Sequence, residues 1–241
     1  MLFFPGFYGY GLFWDPTYLL VILGLFLSLG ASALVNSAMA KYSKVRNMSG
    51  LSGADAARRI LNQEGLYDVQ VECLRDGKGD HYDPRTKTVR LSYQNYNSAS
   101  VTSVGVAAHE CGHALQHAKG YAPLQLRSSL VPVVNIASNL GMPLILVGVL
   151  LSWNQTLIQI GIWAFALAVL FQLITLPVEF NASRRAVAKV EQYGLLTSQE
   201  NEGCRKVLRA AALTYVAAAA ASALQLLRLV LLFGGNRRRN D

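Results

Sequence analysis

Cysteine is scarce in this sequence, and its distribution excludes two common classes of site. The three cysteines, Cys73, Cys111 and Cys204, are odd in number, lie far apart and form no CxxC pair. A disulfide scaffold needs an even set of cysteines, and a cysteine-ligated zinc site needs ligands at short, fixed spacing. The sequence therefore indicates neither of them, and it favours a reducing compartment.

Charged residues are also few. They make up 15% of the 241 residues, whereas hydrophobic residues make up 52% and the mean hydropathy is +0.28. Such a chain is too apolar for an ordinary soluble domain, and it indicates an integral membrane protein. The net charge of +8 does not indicate a nucleic-acid partner, because the basic residues flank apolar blocks instead of forming one stripe with interleaved aromatics.

The first long stretch without charge follows an N-terminal segment at 1–17 and predicts a transmembrane helix over 18–40. At roughly 20 residues it is long enough to cross a bilayer core of about 30 Å. A cleaved signal peptide is the alternative, but no basic residue precedes the stretch, and Asp15 stands where a positive region would be expected. Five basic residues between Lys41 and Arg59 follow the stretch, so the positive-inside rule puts this side in the cytoplasm.

Residues 41–128 are more polar and are predicted to form a small cytoplasmic catalytic part. Ser52 is placed to cap a helix with Asp55 at the third helical position, and Ser98 or Ser100 can cap a second helix. Two stretches alternate polar and apolar residues as the strands of a hairpin or meander do. The predicted elements are a helix at 52–64, strands at 69–74 and 88–92, and a helix at about 99–118.

Two further apolar blocks, at 131–151 and 157–176, are separated by a short uncharged turn. They predict a pair of transmembrane helices whose turn lies outside, since the basic flanks return to the cytoplasm. The chain then continues as a helical part at 177–209.

The last apolar block, at 210–233, is interrupted by Arg228 and followed by a basic tail at 234–241. A fourth transmembrane helix would carry that tail outside, against the positive-inside rule. A membrane-associated or core helix is the alternative, and the sequence leaves the choice open.

The chemistry of the chain is concentrated in one short segment, His109-Glu110-Cys111-Gly112-His113. Residues four apart on a helix share a face, so His109 and His113 present two imidazoles to one point, at the spacing that zinc accepts from a single helix. Glu110 can reach a zinc-activated water as general base and later protonate the leaving amine. The pattern predicts a zinc metalloendopeptidase, and a chance match in an apolar helix is the alternative.

Two other histidines are weaker candidates. His117 shares the face of the motif, but it lies about 12 Å from His109 along the axis at ~1.5 Å per residue. A regular helix therefore cannot bring His117 to the same ion. His117 is expected either to contact a metal ligand from outside or to lie at the surface. His81 stands in a predicted turn before a strand, where it either belongs to a polar loop or contacts the substrate or an oxyanion.

A catalytic zinc needs a third protein ligand and one open position. The preferred candidate is Glu179, which follows Pro177 in the predicted first turn of a helix. The pair of transmembrane helices joins this helix to the motif helix. The two cytoplasmic ends of the pair must lie near one another, so the two joined helices must do so as well. The alternative is an acid stabilised there by the helix dipole, and the rival ligands are Glu191, Glu200 and Glu202.

Three segments carry a resemblance to a known family. AHECGHALQH, LPVEFNASRRA and DHYDPRTKTVRLS resemble the putative neutral zinc metallopeptidases of the YugP type. More distantly, the first two resemble the HtpX and CAAX-prenyl-protease group of gluzincins. In that wider group two transmembrane segments separate HExxH from a Glu-containing helix, and this chain repeats that order.

The resemblance implies roles for individual residues. His109, His113 and Glu179 correspond by motif position to zinc ligands, and Glu110 corresponds to the catalytic base. The second motif of the wider group reads roughly ExxxD, and its Asp orients a ligand histidine. Here Ser183 occupies that place, where a hydroxyl can accept a hydrogen bond but provides no charge.

The expected fold is mainly α. Transmembrane helices carry a small α+β zincin-like catalytic domain at the cytoplasmic membrane surface, with Zn²⁺ as cofactor and a peptide or membrane protein as substrate. One alternative is an intramembrane site-2-type protease, but its partner motif is missing, since Arg75-Asp76-Gly77 precedes the motif helix. The other is a non-catalytic zinc-binding scaffold or chaperone factor, against which Glu110 argues. A transporter finds little support in segments with almost no ionisable residues.

Overall fold

The structure, a computed structural model, describes residues 15–74 and 79–234. Its described part is mainly helical, with one small sheet. In chain order the elements are α1 (Tyr18–Tyr42), α2 (Gly53–Gln63), β1 (Gln70–Leu74), β2 (His81–Asp83), β3 (Thr88–Ser92), α3 (Tyr93–Asn97), α4 (Val101–Ala118), α5 (Ala122–Leu150), α6 (Gln155–Gln192) and α7 (Ser198–Phe233). Most of the predicted N-terminal segment, the Arg75-Asp76-Gly77 turn and nearly all of the predicted basic tail lie outside the described residues.

Four long helices, α1, α5, α6 and α7, dominate the chain. Each is long and apolar enough to cross a membrane, as judged by length and composition. Large apolar side chains stand exposed along them, including Leu19 (68% exposed), Phe26 (67%) and Trp163 (75%). Leaving such a side chain in water forgoes about 1.5–3 kcal/mol relative to burial, whereas the hydrocarbon of a bilayer solvates it. The chain is an integral membrane protein.

Helix α6 corrects one local prediction. It continues without a break past Pro177 as far as Gln192, so the predicted helix start at Pro177 is wrong. Glu179 therefore lies inside a helix, and the alternative of an acid stabilised by a helix dipole falls away. A proline removes one backbone hydrogen bond, but membrane helices tolerate it where neighbouring groups satisfy the freed carbonyl. Helix α5 contains two interior prolines, Pro132 and Pro143.

The sheet contains three strands in the order β1-β3-β2. The two stretches predicted as strands do pair, but β1 runs parallel to β3, so the predicted hairpin or meander is wrong. Strand β2, a segment that the sequence pattern assigned to a turn, pairs antiparallel with the other edge of β3. Alternation of polar and apolar residues identifies a strand but does not determine the direction of its neighbour.

Helices α2 and α4 pack against each other and against β3 around one buried core. Ser52 caps α2 through a capping box with Asp55, as predicted. Ser100 caps α4 by accepting a hydrogen bond from the backbone N–H of Ser103. The core includes Ile60, Leu61, Val89, Leu91, Val104 and Cys111. Because this face of α4 is buried, the directions in which its histidines point are fixed.

The chain divides into two compact units. The first contains residues 131–172 and the described parts of 1–30 and 217–241, which belong to the long apolar helices. The second contains residues 31–130 and 173–216, and with them the sheet and helices α2, α3 and α4. Every residue singled out as a candidate site residue falls within the second unit.

Candidate metal centre

Helix α4 carries the two histidines of the motif one turn apart. The ring centroids of His109 and His113 are 4.8 Å apart, and their planes are nearly perpendicular at 87°. Both side chains are largely enclosed, with 15% and 10% of their surfaces exposed. The helix therefore presents two imidazoles to one point, as its periodicity requires.

Glu179 of α6 faces both imidazoles. Its Oε2 atom lies 3.3 Å from Nε2 of His109 and 3.7 Å from Nε2 of His113. One ligand atom from each residue lies within 4.8 Å of the others, a grouping that could hold a metal ion. The Glu179 side chain is 4% exposed, and Oε2 has no hydrogen-bond partner among the described residues. A buried carboxylate oxygen left unbonded between two imidazole nitrogens fits the nitrogen and oxygen ligands of zinc.

A glycine allows α4 and α6 to approach so closely. A Cβ atom added at Gly112 would lie 2.6 Å from the carbonyl oxygen of Ala182, which is too close for any side chain. Gly112 stands between the two histidines in sequence, and Ala182 lies three residues after Glu179. The glycine of the motif therefore sets the separation between the helix that carries the histidines and the helix that carries the acid.

Hydrogen bonds hold both imidazoles from behind. Nδ1 of His109 lies 3.1 Å from Oγ of Ser183, and Nδ1 of His113 lies 3.0 Å from Oε1 of Gln116. Gln116 is fully buried and donates from Nε2 to the carbonyl oxygen of Val178 at 2.8 Å. With both Nδ1 atoms engaged, both Nε2 atoms remain available on the side that faces Glu179, which is how metal-ligating histidines are oriented.

Gln116 and Arg127 are site residues that the sequence analysis did not single out. Gln116 gives one signal in the sequence, because a polar amide three residues after His113 shares its helix face. Arg127 of α5 gives none, since its charge also fits the end of a transmembrane helix. Its Nη1 atom lies 3.6 Å from Oε1 of Glu179, so the two oxygens of this carboxylate face different partners.

The electrostatics of the centre favour a cation. Burial alone lowers the pKa of His113, but close contact with Glu179 and the negative charges of Glu110 and Glu179 outweigh it. The pKa of His113 is therefore raised above its ordinary value. The same negative charges would attract a metal ion placed between the imidazoles.

Glu110 follows His109 on α4 and is 7% exposed. Its charge acts on His113, so it belongs to the same electrostatic environment. Within the described part of the chain, its carboxylate makes no hydrogen bond and no ion pair. The Glu110 carboxylate is therefore buried near the two histidines without a structural partner in that part of the chain.

The other two histidines lie outside this grouping. Nδ1 of His117 lies 2.9 Å from the hydroxyl oxygen of Tyr82 in β2, and burial raises the pKa of Tyr82 to about 12. The ring of His81 contacts the carbonyl oxygen of Gly79 at 2.9 Å. The structure thus brings together His109, His113 and Glu179, and it does not add His117 or His81 to them.

The three rival acids also have partners elsewhere. Each contacts a residue that is not part of the histidine grouping: Glu191 lies 3.7 Å from Arg205, Glu200 accepts a hydrogen bond from the backbone N–H of Met48, and Glu202 lies 3.5 Å from Lys206.

Comparison with known proteins identifies the family of the chain. The family model described as "Putative neutral zinc metallopeptidase" matches residues 17–234. The chain is 50% identical to the "Putative membrane protease YugP" of Bacillus subtilis (strain 168) over 221 residues, which cover 92% of this chain and 98% of that protein. Among solved structures, none matches the chain. The chain therefore belongs to the family of putative neutral zinc metallopeptidases, which implies Zn²⁺ as its metal.

Proposed function

We propose that this protein is a membrane-embedded zinc endopeptidase whose metal is held by His109, His113 and Glu179. The observation that carries the proposal is the approach of two imidazole Nε2 atoms to a buried carboxylate oxygen that has no hydrogen bond of its own. Three protein ligands leave one position for water or substrate, as catalytic zinc sites do.

Glu110 is the general base in this proposal. Zn²⁺, when bound, lowers the pKa of a water to about 7 and polarises the carbonyl of a peptide bond. The Glu110 carboxylate accepts a proton from the attacking water and then gives it to the amide nitrogen of the leaving peptide. Its burial beside His113, without a hydrogen bond to the described part of the chain, supports this role.

Ser183 and Gln116 act as positioning residues. When Nε2 of an imidazole binds metal, Nδ1 carries the proton and donates it to an acceptor. The Ser183 hydroxyl is that acceptor for His109, and the Gln116 carbonyl oxygen is that acceptor for His113. Arg127 holds the second oxygen of Glu179, which leaves the first oxygen directed at the histidines.

The catalytic part is a zincin-like α+β domain at the cytoplasmic membrane surface. Basic residues follow the first transmembrane helix and flank the helix pair, which supports a cytoplasmic position. Peptides or membrane-protein segments near the bilayer surface are then the accessible substrates. An intramembrane protease is disfavoured, because α4 is not among the four described helices that are long and apolar enough to span.

The experiment is a comparison of two glutamate variants in purified, detergent-solubilised protein. Glu110→Gln removes the base and keeps the shape of the side chain, so zinc content should remain at the wild-type value while cleavage of casein is lost. Glu202→Gln is the matched control, because Glu202 is exposed and pairs with Lys206, and it should cleave normally. Unchanged turnover in Glu110→Gln would overturn the mechanism.

A further inference from the structure

A groove between α6 and α7 contains none of the three proposed metal ligands, although Ser183, which contacts His109, is among its lining residues. It has a volume of about 430 Å³, within the roughly 300–1,000 Å³ of small-molecule sites. All of its lining residues fall within 180–212, so it is a feature of the second unit alone.

The charged residues that line the groove are mainly basic. Arg184, Arg205 and Arg209 line it, and Glu191 is the acid among the lining residues. Glu191 lies 3.7 Å from Arg205, whereas Arg184 and Arg209 form no ion pair within residues 15–74 and 79–234. Two exposed guanidinium groups therefore lack an anion, and an arginine guanidinium matches a phosphate geometrically.

Most of the other residues that line the groove are apolar. They include Phe180, Val187 and Leu208, and Phe180 keeps 41% of its surface exposed. An inorganic anion would bind the arginines and leave these apolar side chains in water. An occupant with an anionic head and a hydrocarbon part would use both surfaces.

The groove also lies near the ends of the apolar blocks of the two helices. Its α6 residues follow the apolar block that ends near residue 176. Of its four α7 residues, Arg205, Leu208 and Arg209 precede the block that begins near residue 210, and Ala212 lies at the start of that block. Basic residues at the cytoplasmic ends of transmembrane helices meet the headgroup layer, where basic pockets between helices bind anionic lipids.

We propose that this groove binds the headgroup and first acyl carbons of an anionic phospholipid. Arg184 and Arg209 bind the phosphate, and the apolar lining residues contact the hydrocarbon next to the glycerol. The proposal rests on the membrane placement of the chain and not on peptidase activity, so the two can fail separately.

The test measures lipid binding by the full chain in nanodiscs or detergent, using native mass spectrometry with phosphatidylglycerol and phosphatidylcholine as probes. Wild-type protein should retain phosphatidylglycerol in preference to phosphatidylcholine. Arg184→Gln/Arg209→Gln should weaken that retention by roughly tenfold or more, as expected for the loss of two cations near a membrane surface. The Arg59→Gln/Arg85→Gln control removes the same charge from exposed sites outside the groove and should bind as wild type.

Several results would overturn the proposal. Equal retention of phosphatidylglycerol and phosphatidylcholine by wild-type protein would overturn it, and this comparison does not depend on the folding of any variant. The proposal would also be overturned if the folded Arg184→Gln/Arg209→Gln protein retained phosphatidylglycerol as well as wild type does. Displacement of the lipid by millimolar inorganic phosphate would indicate a plain anion site, and displacement by a soluble acidic peptide would indicate a peptide site. Melting temperature and zinc content verify that each variant is folded.

Discussion

The hydroxyl oxygen of Ser183 lies 3.1 Å from Nδ1 of His109, on the edge of the ring opposite the Nε2 atom that faces Glu179. The wider gluzincin group that the sequence resembles has an aspartate at this motif position. A neutral hydroxyl can accept the imidazole N–H but adds no negative charge. The contact therefore orients the ring without strengthening its basicity as a carboxylate would.

Replacing Ser183 should weaken zinc binding. Ser183→Ala leaves Nδ1 of His109 without its acceptor, and loss of such an outer contact lowers metal affinity by roughly 10–100-fold. Ser183→Asp restores an acceptor and adds charge, so it should bind zinc at least as tightly as wild type. Competition with a chromogenic chelator measures both affinities. Ser43→Ala, at a half-buried serine just after α1 that bonds the carbonyl oxygen of Ala40, is the control. Equal zinc affinities in Ser183→Ala and wild type would contradict the orienting role.

A cluster around Glu64 predicts how stability depends on pH. Glu64, the C-cap residue that follows α2, accepts a hydrogen bond from Tyr193 at 2.5 Å and forms an ion pair with Lys189. Burial alone raises the pKa of Glu64, but these contacts outweigh it and the pKa is lowered from 4.5.

Because the pKa of Glu64 is lower in the folded state than in the unfolded state, ionised Glu64 stabilises the fold. This stabilisation is complete above about pH 4.5 and is lost as pH falls through the folded-state pKa. The melting temperature of wild type should therefore exceed that of Glu64→Gln by a constant amount at neutral pH, and the difference should shrink below about pH 4.5. Thermal unfolding at a series of pH values measures it. A difference that stays constant or grows on acidification would contradict the assignment.

Contacts in the first unit predict that α7 crosses the membrane. Arg228 lies 3.3 Å from Asp15, just before α1, with both side chains largely buried, and its guanidinium stacks 4.2 Å from the ring centre of Tyr18. A Cβ atom added at Gly24 would lie 3.1 Å from Cβ of Ala221, so the end of α7 runs antiparallel beside the start of α1. The charge that interrupts this apolar helix is thus paired, which is how ionisable residues are carried in membranes.

If α1 begins outside, as its flanking charges indicate, α7 must end outside. Alkaline phosphatase fused after residue 234 should then be active in a bacterial host, whereas a green fluorescent protein fused there should be dark. The reverse pattern would show that α7 does not span. Asp15→Asn should reduce the amount of folded protein, because it leaves Arg228 buried without a counter-charge.

Local patterns in the sequence anticipate much of this geometry. Helix periodicity alone makes His109 and His113 converge, and Ser52 caps its helix because the capping residues are adjacent in sequence. Long-range contacts are a different matter. The parallel pairing of β1 with β3 and the approach of Arg127 to Glu179 depend on how distant segments pack, which no short pattern encodes. The predicted helix start at Pro177 was wrong for the same reason, because surrounding groups decide whether a proline ends a helix.

The central claim is that one Zn²⁺ is held by His109, His113 and Glu179, and zinc K-edge X-ray absorption of the purified, metal-loaded protein tests it most directly. The expected spectrum contains two imidazoles and oxygen at about 2.0–2.2 Å and no sulfur, with one zinc per chain. Glu179→Ala should lose this zinc, and Glu191→Ala, which removes a rival acid, should keep it. Sulfur in the first shell, or an unchanged spectrum and zinc content in Glu179→Ala, would contradict the account.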